Sequence, residues 1–207
     1  MTIDKAYNSW ADNYDVVKNK TRDLEKIVAK QTLEKYNFIT VIELGCGTGK
    51  NTEWLAEKAN SIIGLDFSQK MLLKAKEKIK SDKVQFQHAD LTKPWNIKNN
   101  YADLISCSLT LEHISDLNFI SSEGYKKLKP EGRFFICELH PFKQYTGSKA
   151  KFENENGIIE LEVFTHHIIE YINAAINSGF KILEFNEWFD NDNKKDIPRL
   201  ISFVFEK

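Results

Sequence analysis

The chain has 207 residues, enough for one domain with a sizeable core, and its 42% hydrophobic and 29% charged residues are ordinary for a globular protein. A formal net charge of -1 supplies no basic field, so nucleic acid is not an expected partner. No apolar stretch approaches the roughly 18 residues that would span a bilayer, and the opening MTIDKAYNSW lacks the basic-then-apolar order of a signal peptide, so a cytoplasmic protein with no membrane partner is expected.

Tyr7, Trp10 and Tyr14 fall at i, i+3 and i+7 and predict an N-terminal helix. A second helix is expected over Thr21 to Tyr36, where Leu24, Ile27, Val28 and Leu33 would cover one face of a sheet; residues 1–37 thus form an N-terminal helical section. Phe38 to Leu44 reads as a first strand, followed by Gly45, Gly47 and Gly49 and a helix from about Lys50 to Ala59. Ser61 to Asp66 is a second strand ending in an acid, and Ser68 can cap a helix from Gln69 to Lys80 whose Met71 and Leu72 point inward. Strand three runs from Val84 to Leu91 with Asp90 near its end, and His88 within it reads as a packed or edge residue. Tyr101 to Leu109 is strand four. A helix from about Asp116 to Leu128 then meets the turn Lys129 to Gly132 and strand five.

After Glu138 the pattern becomes irregular and polar-aromatic, then extended, which marks residues 140–165 as an insertion. A helix from His166 to Ser178 stopped by Gly179, a strand from Phe180 to Trp188, a charged turn at 190–196 expected to be mobile, and a strand from Leu200 to Glu206 complete one domain over 1–207. Cys46, Cys107 and Cys137 lie in or at the ends of apolar runs, without C-x-x-C pairing or metal-ligand spacing. They read as reduced core thiols, and no metal is expected.

A strand running into glycines and then a helix is how a parallel α/β sheet turns backbone N–H groups toward a ligand. The dinucleotide pattern G-x-G-x-x-G would need glycine where Lys50 stands, and the phosphate loop G-x-x-x-x-G-K-[ST] needs one residue more between its glycines. What remains is an acid, Glu43, followed by three alternate glycines. The stretch ELGCGTGKNT resembles motif I of the class I S-adenosyl-L-methionine (SAM) dependent methyltransferases. GLDFSQKML is similar to their motif II, and LKPEGRFFICE to their turn into strand five.

The resemblance implies a Rossmann-like α/β fold: a seven-stranded, mostly parallel sheet with an antiparallel last strand, helices on both faces and a small insertion after strand five. It implies a cofactor site built from Glu43, Gly45, Cys46, Gly47 and Gly49 in the loop. Asp66 would receive the ribose hydroxyls, Phe67 would pack on adenine, and Met71 would also belong to the cofactor site. Asp90 and Leu91 would serve the adenine edge, and Cys107 and Ser108 would approach the sulfonium. Tyr14 would belong to a helix closing over SAM. Glu112, His113, His140 and Tyr145 become substrate-side candidates, and His113 and His140 the candidate bases, since a neutral imidazole can take a proton near pH 7.

The reaction implied is in-line transfer of the SAM methyl to a small-molecule acceptor, leaving S-adenosyl-L-homocysteine (SAH), by a monomer or homodimer whose insertion 140–165 builds the acceptor pocket. Oxygen, nitrogen, sulfur and carbon acceptors stay open. Two rivals remain: a nicotinamide-dependent oxidoreductase, which shares the glycine loop and Asp66, and a protein that binds SAM without turnover.

Overall fold

The computed structural model describes residues 3–148, 151–154, 157–161, 163–191, 194 and 196–207. Its centre is the seven-stranded sheet. β1 (Thr40–Leu44) pairs in parallel with β2 (Ser61–Asp66) and β4 (Ala102–Ser108); β2 pairs with β3 (Val84–His88), and β4 with β5 (Leu128–Leu139), also in parallel.

The strands are near-continuous apolar runs because both faces are covered. On one face α2 (Lys20–Leu33) and α3 (Lys50–Lys58) bring Val28, Leu33, Trp54 and Leu55 onto Val41, Ile62, Leu104 and Phe135. On the other, α5 (Leu117–Lys127) and α7 (Ile168–Asn177) bring Leu117, Ile120, Tyr171 and Ala174 onto Ile42, Ile63, Ile105 and Phe134. Two strands close the sheet, β8 (Lys181–Trp188) and β9 (Leu200–Glu206), with β9 antiparallel to both β5 and β8. The order β3-β2-β1-β4-β5-β9-β8 reverses between β1 and β4, which opens a crevice at the carboxyl ends of those two strands.

The sequence reading and the structure part in a few places. α1 (Ile3–Trp10) ends before Tyr14, which lies in a turn whose carbonyl accepts a hydrogen bond from Arg22 Nη1 and whose ring meets the guanidinium at 4.0 Å. Asn19 caps α2 through Thr21 N and Arg22 N, so the start signal is this asparagine and not Thr21. α4 (Gln69–Lys78) is capped by Ser68 as expected, with Met71 and Leu72 buried. β3 stops at His88, an exposed residue whose Nε2 bonds to Phe67 O, and Asp90 lies in the loop beyond.

The irregular stretch after strand five contains a short helix, α6 (Pro141–Tyr145), because Pro141 is pre-set for the first helical position and the His140 side chain accepts the Phe142 N–H. The extended stretch is a hairpin of β6 (Lys151–Asn154) and β7 (Gly157–Glu160). Residues 192, 193 and 195 of the 190–196 turn, and 149, 150, 155, 156 and 162 of the insertion, lie outside the described residues. All three cysteines are buried and unbonded to one another. Among the described residues no helix is long and apolar enough to cross a membrane.

Candidate functional site

The glycine loop is fixed from behind by Asp66. Its Oδ2 accepts the Gly47 N–H at 2.9 Å and its Oδ1 the Ser68 N–H at 2.8 Å, so one carboxylate ties the loop after β1 to the turn after β2. Asp66 is only 5% exposed, and burial pushes its pKa up against those two bonds. Each carboxylate oxygen keeps a further lone pair for a ligand hydroxyl. Gly45, Gly47 and Gly49 all have positive φ, and a Cβ on Gly45 would stand 2.1 Å from Thr110 Oγ1. The first glycine therefore lets the loop pass against the segment after β4.

A cavity of about 1020 Å³ opens over these strand ends. Asp66, Phe67, Met71, Asp90 and Leu91 line it, together with Gly45, Gly47 and Ser108 and with Tyr7, His113 and Ile114. Tyr14 reaches it from the N-terminal turn. Asp90 is already engaged, accepting from Thr92 N and Thr92 Oγ1 and pairing with Lys93, so it holds its own loop at the cavity edge; the Thr92 bonds keep its carboxyl below the usual range.

α1 forms the roof. Asn8 Oδ1 accepts from Ser68 Oγ at 2.9 Å and Lys70 N at 3.1 Å, pinning the helix to the start of α4. Tyr7 then meets Phe67 edge-on at 5.7 Å, and its hydroxyl lies 2.8 Å from His113 Nε2. Burial raises the phenol's pKa well above 10.0, so Tyr7 keeps its proton and donates it to Nε2, which leaves the imidazole proton on Nδ1.

A second cavity, about 50 Å³, lies beneath the loop between α2 and β1, lined by Arg22, Glu25, Glu43, Cys46, Lys50 and Ser108 among others. Glu43 faces this space and not the large cavity. Thr52 Oγ1 donates to it at 2.5 Å, and burial, reinforced by Glu25 and Asp66, pushes its pKa up to about 8. Among the described residues Arg22 Nε is buried without a hydrogen-bond partner, a donor that a ligand carboxylate would satisfy. Cys46 packs on Leu72, Ala75 and Phe86, and Gly49 caps α3 in the left-handed region.

Besides Gly49, four candidates line neither cavity. Cys107 points into the apolar core beneath α5 and α7, because alternation along β4 turns it inward and leaves Ser108 at the strand end. His140 is 0% exposed, accepts from Phe142 N at Nδ1 and bonds to Glu187 Oε1 at 3.0 Å through Nε2; it is a structural cap, and burial lowers its pKa against the pull of Glu187. Tyr145 is exposed and bonds to His167 Nδ1. Glu112 is buried behind His113, its Oε1 3.9 Å from Nε2, and burial pushes its pKa up to about 7. None of the described residues of the insertion lines the large cavity. Sequence reading missed Tyr7, Arg22, Glu25, Leu109 and Thr110 as site residues. Only Tyr7, in the aromatic stripe, carried a signal that could have found it.

Residues 42–136, from β1 through the core of β5, match the methyltransferase domain family, which uses SAM. The chain is 32% identical over 138 residues to malonyl-[acyl-carrier protein] O-methyltransferase of Priestia megaterium, covering 63% of this chain and 48% of that protein. It is 26% identical over 203 residues to the mitochondrial ubiquinone biosynthesis O-methyltransferase of Saccharomyces cerevisiae, covering 94% and 60%. The chain spans about half the length of the carrier-protein methyltransferases it matches. The fold is that of an S-adenosylmethionine dependent methyltransferase from Mesorhizobium loti, with a TM-score of 0.74 at 22% identity over 87% of this chain and 96% of that one.

Proposed function

We propose that this chain transfers a methyl group from SAM to a small-molecule acceptor held beside Tyr7 and His113. One observation carries the reading: a single cavity is lined by Asp66 and Phe67, by the glycine loop and by the Tyr7–His113 pair. The residues present suit SAM. Asp66 has lone pairs for ribose hydroxyls, Phe67 offers an aromatic face to the base, and Arg22 Nε at the small cavity suits the carboxylate of the amino-acid tail.

When bound, SAM supplies a methyl on a positively charged sulfur, open to in-line attack by an acceptor lone pair. The chain's work is to align and to exclude water, an effect worth several kcal/mol. α1, pinned through Asn8, roofs the cavity. His113 Nε2 can accept a proton from an acceptor hydroxyl or thiol once the Tyr7 O–H bond yields, with Glu112 close enough to steady the resulting imidazolium.

Incubation with methyl-labelled SAM and sets of carboxylic acids, phenols, amines and thiols tests the reading. Label is expected to appear in one class, with H113A at least about 100-fold slower for an acceptor that loses a proton. SAM binding without label transfer to any class would favour a binding protein. For the roof, Asn8→Ala removes two hydrogen bonds worth about 1–2 kcal/mol together. SAH is expected to dissociate up to about tenfold faster in stopped-flow release, and an unchanged rate would mean that α1 does not close the site.

A further inference from the structure

The described residues of the insertion do not line the cavity, yet they and His166, which follows the insertion, converge on one place: the 3₁₀ turn Leu111–His113 that carries Glu112 and His113. Three contacts reach the turn from this side. Gln144 of α6 donates to Glu112 Oε2 at 3.4 Å, Phe164 N donates to Glu112 O at 2.7 Å, and His166 Nε2 lies 2.8 Å from Ile114 O and 3.2 Å from Leu111 O. Both partners of His166 Nε2 are carbonyl oxygens, so that nitrogen must carry a proton and donate to them. His166 is itself buried, stacked on Phe164 and edge-on to Tyr171.

The other end of the turn is held from β5. Glu138 Oε1 accepts the N–H groups of Thr110 and Leu111, each at 2.9 Å. A 3₁₀ turn leaves N–H groups unpaired at its start and carbonyls unpaired at its end. Here Glu138 meets the first set, while Phe164 N meets Glu112 O and the buried His166 donor meets Ile114 O, sharing Leu111 O with Ile114 N. The Tyr7–His113 bond depends on this backbone, because the turn is what sets the imidazole opposite α1.

We propose that His166 is a positioning residue for His113, acting with Glu138 as a two-ended clamp, so that the segment between the insertion and α7 governs the imidazole from behind while leaving the cofactor-side residues untouched. The proposal rests on the reading that His113 faces the acceptor. It predicts that loss of the His166 donor disturbs His113 without weakening SAH binding.

The test is NMR of the SAH-bound protein, following the His113 imidazole resonances and their pH titration in wild type, H166F and H166Q, with SAH affinity measured on the same samples. H166F keeps a ring for Phe164 and Tyr171 but has no donor, whereas the amide of H166Q still has one. The expected result is displaced His113 resonances and a shifted titration midpoint in H166F, near-wild-type behaviour in H166Q, and SAH affinity within about twofold throughout. If H166F does not fold, H166N, whose shorter amide cannot span both carbonyls, takes its place with the same expected shift. Unmoved His113 signals in the donorless variant, or equal displacement in H166Q, overturn the clamp. A wild type that does not bind SAH overturns the cofactor reading instead, so the two failures are told apart.

Discussion

Gly45→Ala is expected to weaken SAH binding by on the order of 100-fold, a loss comparable to that from moving a site by about an ångström. The added Cβ would lie 2.1 Å from Thr110 Oγ1, 2.7 Å from Cγ2 and 2.9 Å from Cβ, and the residue has φ +65. The hydroxyl tip could rotate, but it is held by donating to Ser108 O at 2.9 Å, and the Thr110 Cβ cannot rotate away. The loop must therefore shift, in addition to about 1–2 kcal/mol for a left-handed residue with a side chain. Gly47→Ala is the control: it meets nothing within 4 Å and carries only the backbone strain of φ +52. Removing the obstacle in G45A/T110G should recover most of the affinity. Calorimetry showing wild-type affinity for G45A would mean that the close passage of loop and β4 segment plays no part in binding.

The second large effect is on stability. Burial pushes Glu43 and Glu138 up to about 8 and Glu112 up to about 7, each opposed in part by its hydrogen-bond donors, and raises Glu25 and Asp66 as well. A carboxyl with a raised folded-state pKa holds its proton more tightly folded than unfolded. The stability it confers is complete below the unfolded value near 4.5 and is lost as pH rises through the folded one. The ligand-free protein is therefore expected to lose a few kcal/mol between about pH 5 and pH 8.5. Working the other way, Arg199 holds Asp190 below the usual carboxylate range, a contribution lost only in stronger acid. The melting temperature should peak near pH 5 and fall toward pH 8.5, with a shallower fall in E43Q. A melting temperature that is flat or rising over that interval would contradict buried, protonated carboxyls.

Legibility in the sequence follows locality. The glycine loop, Asp66 with Phe67, and the Ser68 cap are contiguous motifs at strand ends, and a parallel sheet turns consecutive strand ends into one surface, so their meeting at the cavity could be anticipated. Cys107 shows the limit of that reasoning. A one-residue step along β4 decides between core and cavity, and Ser108 takes the cavity position. His140 went astray because its partner, Glu187, lies 47 positions on and is reached only when β8 and β9 close the sheet. Tyr7, Arg22 and Glu25 were hidden for a similar reason: their places depend on how α1 and α2 fold back over the loop, fixed by Asn8 and by the Arg22 bonds to Tyr14 and Val17. Leu109, at φ +50 directly after β4, is a strained residue bordering both cavities, and nothing in its neighbours' identities announces that backbone.

The most direct measurement is a calorimetric titration of the purified protein with SAH and, in parallel, with NADH, repeated with Asp66→Ala. SAH is expected to bind and NADH not to, and D66A to weaken SAH by on the order of 1–3 kcal/mol through lost charge-assisted hydrogen bonds and a loosened Gly47. Binding of NADH in place of SAH, or D66A with wild-type SAH affinity, would contradict a SAM site at these strand ends.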